Sequence, residues 1–300
     1  MRYREHPIPA DLSAIVEVLW TLEAAAPGPG ESAAQPVIPD GRSEIVLHWG
    51  DRFERGGEDG RFIAQPMAIV AGQLREPLVL RPTGVASMLG IRLRPAGAAA
   101  LWTGPQVALA GRTLDAGAVS PAVERWLIEL RDGCRTPDEA AGLVAAGLRR
   151  LARPARVDQR VAAAAARIQH HAGTERIDAV AAHVGMTRRH LERGFLDQVG
   201  LTPKRLARIA RLQRALGVLS AAAASGAVRP GLEAAVASGY ADEAHFARDC
   251  RALAGTTPAR HAAHVAALTG AFLEDAARDA GRRPDPGARR RGADAEGRGR

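Results

Sequence analysis

The chain has 300 residues, 46% of them hydrophobic but only 4% aromatic, which suffices for two ordinary domains whose cores rest on Ala, Leu and Val. A formal net charge of +8 suits a polyanionic partner, although Arg282, Arg283, Arg289, Arg290, Arg291, Arg298 and Arg300 crowd much of the excess into the tail. Cys134 and Cys250 lack the spacing of a metal site or a disulfide framework, and neither a signal-peptide core nor a membrane-length apolar run appears, so a soluble cytoplasmic protein is expected.

Ala10–Glu23 places Leu12, Ile15, Val16, Leu19 and Trp20 on one helical face and predicts a helix, with an end that can run on into a strand. Ala24–Pro36 is rich in Pro, Gly and Ala and predicts a loop. Ile45–Trp49, Ile63–Val70, Leu78–Arg81 and Ala86–Leu93 predict short strands of a small barrel or sandwich. Ser120 and Pro121 then open a helix carrying Val123, Leu127 and Leu130, and Thr136-Pro137-Asp138-Glu139 opens another that runs to about Leu151. Arg153–Arg156 reads as a linker. The boundaries expected are 1–153 for an N-terminal domain, 157–265 for a helical one, and 278–300 for a disordered Arg-rich tail.

Residues 157–265 read as consecutive short helices. Val157, Val161, Ala165 and Ile168 share one face; Ile177, Val180, Ala181 and Val184 share the next. Gly185 predicts a turn and Thr187 a cap, followed by a helix with Leu191, Phe195 and Val199 inward and Arg188, Arg189, Glu192 and Arg193 outward. That is the helix-turn-helix pattern. It repeats: Phe195–Arg205 resembles Cys250–Arg260, each closing in Gly-x-Thr-Pro, with Gly239 and Asp242 as the second turn and cap. Between the units, Leu206, Ile209, Leu212, Leu216 and Leu219 predict one long helix over Lys204–Ser220.

The segments GMTRRHLERGF, LTPKRLARIARLQRAL and GYADEAHFARD with GTTPAR resemble the DNA-binding domain of the AraC/XylS family of transcription regulators. The resemblance implies two recognition helices in successive major-groove segments of double-stranded DNA, about 34 Å apart. It implies base-edge candidates Arg189, Glu192 and Arg193 in the first unit, with Arg188 on the same DNA-binding face, and Glu243, Ala244, Ala247 and Arg248 in the second. Lys204 and Arg205, with Arg208 and Arg211, suit phosphates or the domain surface. Ala244 and Ala247 offer only apolar contact, so the second helix is expected to read fewer bases directly. Cys250 and Ala234 stand where larger side chains are usual, which implies looser packing there.

The segments VLW, VIPDGRSEIV, VAGQ and GIRLRPAG resemble the uncharacterised cupin-like sensor domain that precedes this DNA-binding domain in one branch of the family. The fold class expected is therefore multidomain α+β: a β-rich cupin-like domain with flanking helices, then an all-α double helix-turn-helix domain. Glu44, His48, Arg92 and Arg94 are the candidates for a small-molecule effector pocket, set against a structural ion pair for Glu44 and core packing for His48 and Trp49. Cys250 reads as an inert core residue and Cys134 as the more exposed of the two. RNA polymerase and a second copy of the chain complete the partners considered. No metal, cofactor or catalytic residue is expected, since no His-x-His pair, nucleophile elbow or phosphate-binding Gly loop occurs.

Overall fold

The structure is a computed structural model that describes residues 1–28, 34–57, 59–225, 227, 229–263 and 265. The first half is built from β1 (Arg2–His6), β2 (Val16–Ala24), β3 (Gln35–Val37), β4 (Ser43–His48), β5 (Glu54–Gly56), β6 (Phe62–Ala64), β7 (Ala68–Ala71), β8 (Leu78–Arg81), β9 (Ala86–Leu93) and β10 (Thr113–Asp115). Helices follow: α1 (Ala116–Val119), α2 (Pro121–Gly133), α3 (Pro137–Leu151), α4 (Gln159–His170), α5 (Ile177–His183), α6 (Arg188–Gln198), α7 (Pro203–Ala224), α8 (Pro230–Ala237) and α9 (Glu243–Ala254). The tail expected to be disordered, 278–300, lies outside the described residues.

The strands form two antiparallel sheets, one in the order β1-β2-β9-β4-β7-β10 and one in the order β3-β8-β5-β6. Alternation divides the larger sheet between two environments. Leu19, Ile45, Leu47, Val70, Leu89, Ile91 and Leu93 face a core shared with Val123, Trp126 and Leu127 of α2 and Val144 and Leu148 of α3. Val46, Ile69, Ala86 and Met88 turn the other way and pack with Trp20, Leu22 and Phe53.

The helix expected over Ala10–Glu23 is a correction. Only Ala10–Leu12 is helical, as a single 3-10 turn, and Val16–Ala24 is strand. Pairing with β1 on one side and β9 on the other decides it, and helical periodicity carries no information about that pairing. The strand expected over Ile63–Val70 is two, β6 and β7, parted at Gln65-Pro66, where proline removes a ladder donor. Cys134, expected to be the more exposed thiol, is buried at the end of α2.

The helical half follows its local signals. Asp158, Thr187, Thr202 and Asp242 each accept a backbone N–H two or three residues on, capping α4, α6, α7 and α9. The Gly-x-Thr-Pro repeat has one physical meaning at both sites: Thr202 accepts from the Arg205 N–H at 3.2 Å and Thr257 from the Arg260 N–H at 3.3 Å, each opening a helix whose first residue is proline. α7 continues four residues past the expected Ser220, and its buried face is the one expected, Leu206, Ile209, Leu212, Leu216 and Leu219. Leu191 and Phe195 of the first unit and their counterparts in the second, Phe246 and Cys250, are fully buried in a common core.

Candidate DNA interface and ligand cavity

In the first helix-turn-helix, α5 and α6 are joined through Gly185, which sits at φ +65°. Leu191 and Phe195 anchor α6 in the core, which leaves Arg188, Arg189 and Arg193 exposed. These arginines are not equivalent. Arg188 is tied to Glu192 at 3.0 Å and to Asp178 at 3.4 Å. Arg189 and Arg193 have no acidic partner among the described residues, and their guanidinium groups remain available to an outside acceptor.

The second unit joins α8 to α9 through Gly239, at φ +73°. Ala244 and Arg248 are exposed and Ala247 half-buried on α9, while Glu243 pairs with Arg229 at 3.2 Å. Arg248 is unpaired among the described residues, as is Lys204 at the start of α7. Cys250 is wholly buried, and burial pushes its thiol up to about 11, which fits the inert reading. Ala234 is equally buried, and the small side chains at both positions are fully enclosed.

Of the residues expected at phosphates or the domain surface, Arg205 is engaged at the surface. Its guanidinium donates to the carbonyl of Arg75, in the N-terminal half, because the start of α7 packs against that half. Arg208 and Arg211 are likewise committed, to the Asp249 carboxylate at 2.6 Å and to the Gly173 carbonyl at 2.6 Å. Together the two units frame an open cleft of about 880 Å³ whose walls bring Arg176, Arg188, Lys204, Arg208, Arg211 and Arg248 against three carboxylates, Glu175, Asp178 and Asp249. Its surplus of cations suits a polyanion.

A second site lies between the two sheets. It is a cavity of about 400 Å³, walled mainly by apolar side chains that include Trp20, Val46, Ile69, Leu78 and Met88. Glu44, Val46 and His48 alternate onto its side of β4, and Arg92 comes from β9 beside Glu44. The structure brings together three of the four expected pocket residues. Arg94 is the exception: it lies just past the end of β9, is exposed, and donates to the Ser13 carbonyl at 2.6 Å. Trp49 also turns away, donating to the Cys134 carbonyl at 3.1 Å.

The charged end of this cavity is internally paired. Arg92 bonds Glu44 at 2.7 Å and lies 3.7 Å from Asp40; Arg42 holds Glu17 through both its Nε and Nη2, at 2.6 and 2.7 Å. Sequence reasoning missed Asp40 and Arg42 as site residues, although both lie in the VIPDGRSEIV segment, where Pro39-Asp40-Gly41 forms a turn ahead of β4. The same turn touches the DNA-binding half. Gln213 of α7 donates to the Pro39 carbonyl at 2.7 Å, and a Cβ on Gly41 would stand 2.5 Å from Leu206 Cδ1. Gly41 has φ +79°, so the turn needs glycine for its backbone as well as for this close approach.

Burial raises the Asp40 carboxyl from 3.8 to about 6, in spite of Arg92. A raised carboxyl contributes stability that is complete below the unfolded value and is lost as pH rises through the folded one. Asp40→Asn is therefore expected to be more stable than the native chain at pH 7 by about 1–2 kcal/mol, once the partial exposure of the carboxyl is counted, and equal to it near pH 4. Urea titrations of both proteins across this range check it, and a difference that does not grow with pH would refute it. Taking the difference removes His48, which burial holds down at about 4 and whose contribution is lost instead as pH falls.

Residues 180–264 match the family described as "Helix-turn-helix domain", and residues 4–115 match "Domain of unknown function (DUF6597)". No curated protein matches the sequence. Among solved structures, ToxT from Vibrio cholerae in its P21 form is similar at 9% identity and a TM-score of 0.45, over 81% of this chain and 97% of that one. ToxT bound to an unsaturated fatty acid is similar at 9% identity and a TM-score of 0.41, over 83% and 94%. The chain thus carries an AraC-type helix-turn-helix domain at its C-terminal end, behind an N-terminal domain of unknown function.

Proposed function

We propose that the chain is a sequence-specific transcription regulator, in which residues 157–265 bind double-stranded DNA and residues 1–153 sense a small molecule. The observation that carries the DNA reading is the exposure of Arg189, Arg193 and Arg248 on α6 and α9, free of acidic partners among the described residues, with Lys204 between them. Side chains already spent on carboxylates do not reach base edges without first breaking a pair, and these four have nothing to break. The connecting helix α7, 22 residues long, spans about 33 Å, close to one groove repeat of B-DNA. Arg189 and Arg193 are assigned to base edges, Arg248 to the weaker reading by the second helix, and Lys204 to phosphate. Arg205 is assigned to the contact between the halves.

The sensing reading rests on the cavity and on its shared wall. The Pro39-Asp40-Gly41 turn borders the cavity on one side and α7 on the other, so a ligand that displaces Asp40 also strains the seat of the DNA-binding half. Mapping the sites that the full chain occupies on its own genome, then titrating one such fragment with salt, tests the DNA reading. Specific retention with a log–log salt slope steeper than about −3 is expected from four or more phosphate neutralisations. Binding indifferent to sequence, or no retention at physiological salt, overturns it.

A further inference from the structure

His48 is 1% exposed, and neither of its ring nitrogens has a hydrogen-bond partner among the described residues. The ring nonetheless lines the cavity, with Phe53 beside it at 6.1 Å between centroids and the buried Gln65 in the same wall. A buried polar group left without a partner costs free energy, and a small shift of the ring toward the cavity would let an entering group supply one. Burial keeps the imidazole neutral, as does the nearby charge of Arg52. A neutral imidazole has one donor and one acceptor nitrogen, and a hydroxyl is the small group able to answer either.

The opposite end constrains the ligand further. Glu44 and His48 are four residues apart on one face of β4, about 13 Å along the strand, with Val46, Ile69, Met88 and Leu22 between. At the Glu44 end, three carboxylates (Glu17, Asp40 and Glu44) meet two guanidinium groups (Arg42 and Arg92), and both guanidiniums are already paired. An incoming carboxylate would find no free cation there and would add a fourth negative charge. At the His48 end it would lie desolvated beside a neutral ring, with only the nearby charge of the exposed Arg52 in its favour.

We infer that the cavity takes an uncharged, elongated and mainly apolar molecule that presents a hydroxyl to His48, in preference to an acid of the same length. This rests on the cavity being the regulator's sensing site. The test uses the full chain and two probes of equal chain length, decanol and decanoate, followed by calorimetry at neutral pH. Decanol is expected to bind saturably at one site and at least tenfold more tightly than decanoate. His48→Phe, which keeps an aromatic ring of similar shape, is expected to weaken decanol about fivefold to tenfold and to leave decanoate unchanged. Should that variant fold poorly, the ring-nitrogen resonances of the wild-type histidines give the same answer, since decanol must shift one of the nine. Decanoate binding as tightly as decanol, no saturable binding of decanol, or no shifted imidazole each overturns the inference. Decanol that binds as expected but leaves operator affinity unchanged supports the ligand class and sinks the sensing reading alone.

Discussion

Gly173→Ala is expected to destabilise the chain by about 3 kcal/mol and to abolish tight operator binding with it. Gly173 follows α4 at φ +65°, a conformation that costs an L-residue about 1–2 kcal/mol. A Cβ there would lie 1.9 Å from the carbonyl oxygen of Ala207 and 2.5 Å from its carbonyl carbon, both in the backbone of α7. Backbone inside a 22-residue helix does not yield as a side-chain tip does, so the loop must move instead. That movement also breaks the bond from Arg211 to the Gly173 carbonyl, 2.6 Å long, which pins the α4–α5 loop to α7. Since α5 and α6 follow this loop, their angle to α7 changes, and with it the spacing of the two recognition helices. Gly217→Ala is the control. It lies inside the same helix with open space at its Cβ, and the change is expected to stabilise by about 0.5–1 kcal/mol. Urea unfolding of both variants, with operator titrations beside it, decides the matter. A loss below about 1 kcal/mol at Gly173 would show that the loop accommodates the methyl and that α7 does not fix the first unit.

The contrast between the two halves shows what a sequence makes legible. Caps and apolar spacing are local signals, and they were enough to place Ser120, Thr136, Thr187 and Asp242 at helix starts and the buried faces of α4, α6 and α7. Leu12, Ile15, Val16 and Leu19 also satisfy helical spacing, yet most of them belong to β2 or its approach, because β1 and β9 complete the ladder on either side. No local pattern carries those partners. β1, β3, β5 and β10 are short or polar and were missed for the same reason.

The candidate sites divide in the same way. Which arginines lie on the outer face of α6 follows from helical period; that Arg188 is held by Glu192 and Asp178 while Arg189 and Arg193 are not depends partly on a neighbouring helix. Arg94 was misplaced, and the choice between phosphate and domain surface at Arg205 stayed open, because their partners, the carbonyls of Ser13 and Arg75, come from distant segments. His48 was readable as an inward residue of β4. That it is both core and cavity wall, with its nitrogens unmet, required the second sheet and Met88, Phe53 and Gln65 around it.

The division among the arginines of α6 leads to the second large effect. Arg189→Ala and Arg193→Ala are each expected to lower affinity for the native operator by about 1–3 kcal/mol, roughly 5-fold to 150-fold, with discrimination relaxed at one base pair apiece. Arg188→Ala is expected to cost less, because its guanidinium must first leave Glu192 and Asp178 to reach DNA. Lys204→Ala should weaken specific and nonspecific DNA alike and flatten the salt slope by about 0.9, as the loss of one phosphate contact does. On α9, Ala244 and Ala247 offer no hydrogen bonds, so Arg248→Ala is expected to remove most of that helix's polar recognition in one step. Titrating each variant against the operator and against a panel of single-base substitutions separates these cases. If Arg188→Ala proved as costly as Arg193→Ala and shifted base preference, pairing in the free protein would not be what selects the reading residues, and the assignment of Arg189 and Arg193 would lose its physical basis.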